Sequence, residues 1–170
     1  MQKSKLKEWL SALIDAVVIA VVLYFVAWPF LIEGSSMENT FSTGDRVIVS
    51  RLCSYLNFID YNDIVLCKIT YDGNDEIIVK RVIGKPNDHI QIKDKKVFVN
   101  DTLLIEPYIK VPNSTNDDID ITLGDDEFYV LGDNRERSSD SRFFGPIKKS
   151  DIVAEVIFKW YPFSDMGIID

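Results

Sequence analysis

Hydrophobic and polar positions divide this chain into two unlike parts. From 10 to 32 the residues are almost all apolar, with Asp15 the only ionisable acid and no Lys or Arg. Those 23 residues exceed the roughly 20 needed to cross a bilayer as a helix, so the pattern predicts one N-terminal transmembrane helix over 10–32. The run is longer than the roughly 7–15 apolar residues of a cleaved targeting segment, and no A-x-A-like site follows it. As a buried soluble helix it would need a larger core than this chain offers. Past residue 40 the helical period disappears. Short runs rich in β-branched or aromatic residues, bounded by Gly, Asn, Asp and Pro, predict strands at 46–50, 63–69, 76–83, 128–131 and 151–160. Ile90/Ile92 and Val97/Val99 alternate with polar neighbours around Asp94-Lys95, which reads as a tight hairpin over 89–92 and 96–100. Residues 113–127 hold six acids and no base, as a solvated loop or edge excursion would. The expected fold is mainly β: one small antiparallel β-domain, partly closed and barrel-like to protect its edges, behind the helix.

Composition sharpens this division. The 170 residues carry 19 basic and 27 acidic side chains, net −8, and residues 33–170 keep 16 and 25 of them, net −9. An acidic body lacks the basic footprint that nucleic acid requires, so nucleic acid is excluded as a partner. Lys3, Lys5 and Lys7 precede the apolar run, while the first charged residues after it are Glu33 and Glu38. The positive-inside rule then places 1–9 in the cytoplasm and 33–170 outside, with the lipid bilayer between and Trp9 and Trp28 at its two interfaces.

Three stretches are denser in polar and turn residues than strand connections require. They are Gly34-Ser35-Ser36-Met37-Glu38-Asn39-Thr40, then Lys80-Arg81-Val82-Ile83-Gly84 with a Lys inside an apolar strand, and then Gly132 to Arg142. A serine hydroxyl is a poor nucleophile unless a base takes its proton. A lysine serves as that base only when neutral, and apolar burial favours the neutral form. Lys80 follows Ile77-Ile78-Val79 and precedes Val82-Ile83, the local composition such a shift needs. A serine and this lysine would have to meet in the fold for such chemistry. The single His, His89, is the only residue on which a Ser-His-Asp arrangement could draw.

Taken together and in this order, the stretches resemble bacterial type I signal peptidases, membrane-bound serine proteases that remove signal peptides from exported preproteins. The likeness covers most of the chain. It implies that Ser36 is the nucleophile, Lys80 the general base and the backbone N–H of Ser36 an oxyanion donor, so Ser36 and Lys80 are expected within hydrogen-bond reach across 44 positions. Asn62-Asp63-Ile64-Val65 is similar to the family's box opening the next core strand, and Gly132 to Arg142 with Phe144-Gly145 to its longest box. The resemblance further implies that Ser138 orients the lysine, that Asp140 and Arg142 form a loop-fixing ion pair, and that Asp133 braces the turn. Asn39 stands where the family usually has Pro, and Asn62 and Asn87 where it usually has Gly. Some relatives carry a second oxyanion serine where this chain has Gly34, which leaves a backbone group or Ser35 as candidates.

The partners implied are signal peptides, whose small −1 and −3 residues would lie in shallow pockets along a strand edge. Phe30, Ile32, Leu52, Ile78 and Val79 are the candidate walls, by proximity to the catalytic boxes. No cofactor or metal is expected. Cys53 and Cys67 could pair or remain free thiols, and the sequons at Asn100 and Asn113 carry no meaning in a bacterial host. Two other readings compete: a catalytically inactive relative acting as a membrane-anchored assembly factor or chaperone, and a self-cleaving Ser-Lys protease of the repressor type.

Overall fold

The computed structural model describes residues 2–56, 58–71, 73–112 and 114–169. Helix α1 (Gln2–Val26) contains 25 residues, about 37 Å at 1.5 Å per residue. Its stretch Lys5–Val26 is long and apolar enough to cross a membrane, and none of it is buried in the body. The helix expected over 10–32 is thus corrected at both ends. It begins earlier, through the lysine-bearing segment, and it ends at Val26 because Pro29 disfavours helical backbone at the residue before it. Trp28–Leu31 instead form strand β1, paired antiparallel with β2 (Arg46–Ser50). One residue separates helix from strand, and Arg51 closes the junction. Its backbone N–H donates to Phe25 O at 2.8 Å, and its guanidinium lies 4.8 Å from the Tyr24 ring and 4.7 Å from the Trp28 ring.

The body is antiparallel β, as expected. A short helix α2 (Leu52–Leu56) leads to β3 (Ile64–Tyr71) and β4 (Asn74–Gly84). The predicted hairpin follows as β5 (His89–Lys93) and β6 (Lys96–Val99), then β7 (Thr102–Leu103) and β8 (Ile119–Thr122). The chain closes with β9 (Glu127–Leu131), the single-turn helix α3 (Ser141–Phe144), β10 (Ile147–Lys148), β11 (Ile152–Tyr161) and β12 (Gly167–Ile168). The larger sheet has the order β1-β2-β11-β3-β4-β9-β10, with β12 on β11, and the smaller one β7-β6-β5-β8. Neither closes into a barrel, which corrects the barrel-like expectation. Strands of two to four residues lie at the outer edges, and short edges offer little to a foreign strand, so closure is unnecessary. The acidic stretch 113–127 is an edge excursion in part, because Ile119–Thr122 pairs with β5. It is not wholly solvated: Ser114 and Thr115 are buried, and Thr115 Oγ1 accepts from Arg135 at 2.6 Å.

Two apolar clusters, one on either side of the central strands, make the core. Ile64, Leu66, Val79, Ala154 and Val156 meet Met37 and Phe41, which plug the Ser-rich turn into the body. Val65, Cys67, Val82, Val130 and Ile152 pack together in the other cluster. A third cluster, of Ile83, Tyr129 and Leu131 with Ile90, Ile92 and Val97, joins the two sheets. Cys67 is a buried free thiol; the Cys53 side chain and Asn113 lie outside the described residues. Asn62 and Asn87 have φ of 71° and 69°, the left-handed backbone that Asn tolerates best after Gly.

Both residues of the β5–β6 turn have positive φ, 50° at Asp94 and 61° at Lys95. A two-residue hairpin turn of this hand favours Asp-Gly, and a lysine there is strained by roughly 1 kcal/mol. Lys95→Gly is therefore expected to stabilise the fold by about 0.5–1 kcal/mol, read as a rise in thermal unfolding midpoint.

Candidate active site

The turn after β1 carries the first functional group. Met37 and Phe41 point into the core, which leaves Ser36 half-buried at the surface of the turn. Its backbone carbonyl accepts from Asn134 N at 2.9 Å, and Asn134 Nδ2 donates to Ser35 O at 3.0 Å. The Ser36 turn is therefore stitched to the Gly132–Arg142 loop, distant in sequence.

Strand β4 carries the second group. Side chains alternate along a strand, and Lys80 lies opposite Val65 of β3, on the face of the second apolar cluster. Lys80 is 3% exposed. Its Nζ lies 2.8 Å from Ser36 Oγ, the approach expected from the sequence, and donates to Val79 O at 3.0 Å. Burial pulls the Lys80 pKa below the ordinary lysine value of 10.5, against the charges of Asp140 and Asp133, which pull it up. Desolvation dominates because burial strips the ammonium of its water.

The next residue, Arg81, faces the other way. It grips Asp133 through Nε at 2.9 Å and Nη2 at 2.8 Å, both side chains almost fully buried. Thr40 Oγ1 donates to the same carboxylate at 2.5 Å, so Asp133 lies against the turn and is held from β4 by a partner the sequence reading missed. The signal was available: a second cation directly after Lys80 in an apolar strand must face the opposite side and needs a carboxylate there. Asp140 and Arg142 form the expected ion pair, Arg142 Nε donating at 2.8 Å. Asp140 also accepts from Gly132 N at 3.0 Å.

The structure corrects the expected contact of Ser138. Its buried Oγ has no hydrogen-bond partner among the described residues, and Lys80 Nζ donates to Val79 O instead. Ser138 instead packs on Gly132, where an added Cβ would sit 2.2 Å from Ser138 Oγ and 2.6 Å from Ser36 O. His89 is engaged elsewhere, 2.8 Å from Asp120 on the smaller sheet. Among the described residues no group of His, Cys, Asp or Glu is arranged to hold a metal ion.

A groove of about 370 Å³ opens on the pair, lined by Phe30, Leu31, Glu33, Ser36 and the strand Ile77 to Lys80. Of the candidate wall residues, Phe30, Ile78 and Val79 line it. Ile32 does not; it is buried in the core. Leu52 lies in α2, outside the lining. The sequence reading missed Leu31, Glu33 and Ile77. The groove exists because β9 pairs only with Arg81 to Gly84 of β4, which leaves the earlier half of that strand with an open edge.

A buried lysine against a serine, set in an open-edged groove of an antiparallel sheet, is an arrangement able to support serine chemistry. The family model for Signal peptidase, peptidase S26 matches residues 6–161. Signal peptidase I of Bacillus licheniformis is 33% identical, covering 99% of this chain and 96% of the relative. Signal peptidase I S of Bacillus subtilis strain 168 is 32% identical, covering 97% and 94%. A crystal structure of a signal peptidase I from Enterococcus faecalis V583 is similar at TM-score 0.50 and 28% identity, covering 58% of this chain and 96% of that one. The chain belongs to the signal peptidase family, peptidase S26.

Gly132→Ala is expected to lower stability by about 1–3 kcal/mol through overpacking against Ser138 and the Ser36 carbonyl, measured by thermal or denaturant unfolding.

Proposed function

We propose that this chain is a membrane-anchored serine endopeptidase that removes N-terminal signal peptides from exported preproteins, with Ser36 as nucleophile and Lys80 as general base. The observation that carries the reading is the 2.8 Å contact between Lys80 Nζ and Ser36 Oγ at a lysine whose burial favours its neutral form. Ser36 Oγ attacks the scissile carbonyl as its proton passes to Lys80 Nζ. The backbone N–H of Ser36 faces the developing oxyanion. The lysine then gives its proton to the departing amine, and water, deprotonated by the same lysine, releases the acyl group. Val79 O holds one Lys80 N–H, which aims the lone pair at Ser36. Asp133, Asp140 and Arg142 support the site without taking part in the chemistry.

An extended substrate fits the groove as an added strand, its backbone pairing with the open half of β4 and alternate side chains resting on Phe30, Ile78 and Val79. Helix α1 anchors the enzyme, with the lysine-bearing end in the cytoplasm and the body outside. The tight junction at Arg51 then keeps the groove near the outer leaflet, where a preprotein emerges with its own apolar segment still in the bilayer.

Detergent-solubilised full chain incubated with a preprotein is expected to process it, and Ser36→Ala and Lys80→Ala each to abolish processing. Lys80→Arg is also expected to be inactive, because a guanidinium is never neutral at working pH. Processing that survives both alanine substitutions overturns the mechanism.

The pH dependence has a definite sign. Lys80 works unprotonated, so activity rises with pH through a pKa held below 10.5 and falls away on the acid side. Glu155 also titrates in the accessible range, pushed up to about 7 by burial and by Asp63. A pH–rate profile in which Glu155→Gln keeps the acid limb assigns that limb to the lysine; an acid limb lost with Glu155 contradicts the assignment.

A further inference from the structure

The connector between β7 and β8 leaves the smaller sheet and crosses behind the nucleophile turn. Residues 106–110 are tied to that turn at two points. Asn39 Nδ2 donates to Tyr108 O at 2.9 Å, and Lys110 pairs with Glu38. The same segment is tied to the base's side of the site. The Tyr108 ring lies 4.0 Å from the Arg81 guanidinium, next to Lys80 in β4, and Lys110 N donates to Asp133 O at 3.1 Å. Glu106 pairs with the buried Arg135 of the long loop. Tyr108 therefore touches the serine's turn through its carbonyl and the lysine's strand through its ring.

Asn39 itself has φ of 103°. Proline, locked near −65°, cannot occupy that backbone. The turn in this chain is held by a side-chain bond at the position where a ring would otherwise stiffen it.

We infer that Asn39 and Tyr108 are positioning residues, and that segment 106–110 is a brace fixing the separation of Ser36 and Lys80. The inference rests on the Ser36/Lys80 reading above. Neither residue touches the reacting atoms. The brace acts by limiting how far the turn and the strand drift apart, and a misplacement of about 1 Å at a reacting pair costs up to roughly a hundredfold in rate.

The test compares steady-state kcat and KM of the full chain in detergent on one preprotein for Asn39→Asp, Asn39→Pro, Tyr108→Ala and Tyr108→Phe. Turnover is expressed per folded molecule from near-ultraviolet circular dichroism. Asn39→Asp tolerates the positive φ but turns a donor into an acceptor facing Tyr108 O. The expected result is a loss of about tenfold or more in kcat at unchanged KM for Asn39→Asp and Tyr108→Ala, and at least as large a loss for Asn39→Pro. Tyr108→Phe, which keeps ring and carbonyl, recovers most of what Tyr108→Ala loses. Parental kcat in Asn39→Asp or Asn39→Pro, or a loss confined to KM, overturns the brace. The two readings fail separately: a parent chain that leaves the preprotein uncut fails the peptidase reading, whereas a parent that cuts it and an Asn39→Asp variant that matches the parent fail the brace alone.

Discussion

The structure turns on the burial of one amine. Removing a lysine from water disfavours its charged form, and Lys80 is held at 3% exposure with Ser36 Oγ and Val79 O as its hydrogen-bond partners. The acids nearby, Asp140 and Asp133, oppose the shift but are themselves occupied, the first by Arg142 and Gly132 N and the second by Arg81 and Thr40. A carboxylate already paired is a weaker trap for the ammonium. The ion pairs of the long loop thus have an electrostatic consequence beyond holding its shape.

Strand alternation lets two adjacent cations have opposite fates. Lys80 and Arg81 leave β4 on opposite faces. Lys80 goes to an apolar pocket that favours neutrality; Arg81 meets Asp133 in a bidentate pair at 2.8–2.9 Å. Because a guanidinium stays charged whatever its surroundings, its pairing is structural, and breaking such a buried pair costs about 3–5 kcal/mol. The register Ile64↔Arg81 and Val65↔Lys80 is what fixes which cation goes where. A one-residue slip of β4 would exchange them and remove the site.

Much of this was legible in the residues. The strands at 46–50, 63–69, 76–83, 128–131 and 151–160 recur with ends shifted by at most two residues, because their β-branched content suits a sheet buried on both faces. The hairpin at Asp94-Lys95 was legible from alternation alone. The end of the helix was misplaced because hydrophobicity alone cannot separate a membrane segment from an adjoining apolar strand; Pro29 was the available correction. Non-local contacts were the harder part. That Ser138 would lie against Gly132, that Ile32 would turn into the core, and that Tyr108 would cover Arg81 all depend on how the two sheets meet. No local pattern encodes that meeting. The two sheets stay open because their short outer strands leave edges that need no partner.

The proposed mechanism requires a Lys80 that loses its proton more readily than an ordinary lysine because it is buried against Ser36. Direct titration of the Lys80 side chain tests this, by following its Cε or Nζ resonance in the detergent-solubilised protein across pH, assigned by comparison with Lys80→Ala. A single titration below 10.5, coincident with the acid limb of activity, is expected. A Lys80 that titrates at or above 10.5 would contradict it.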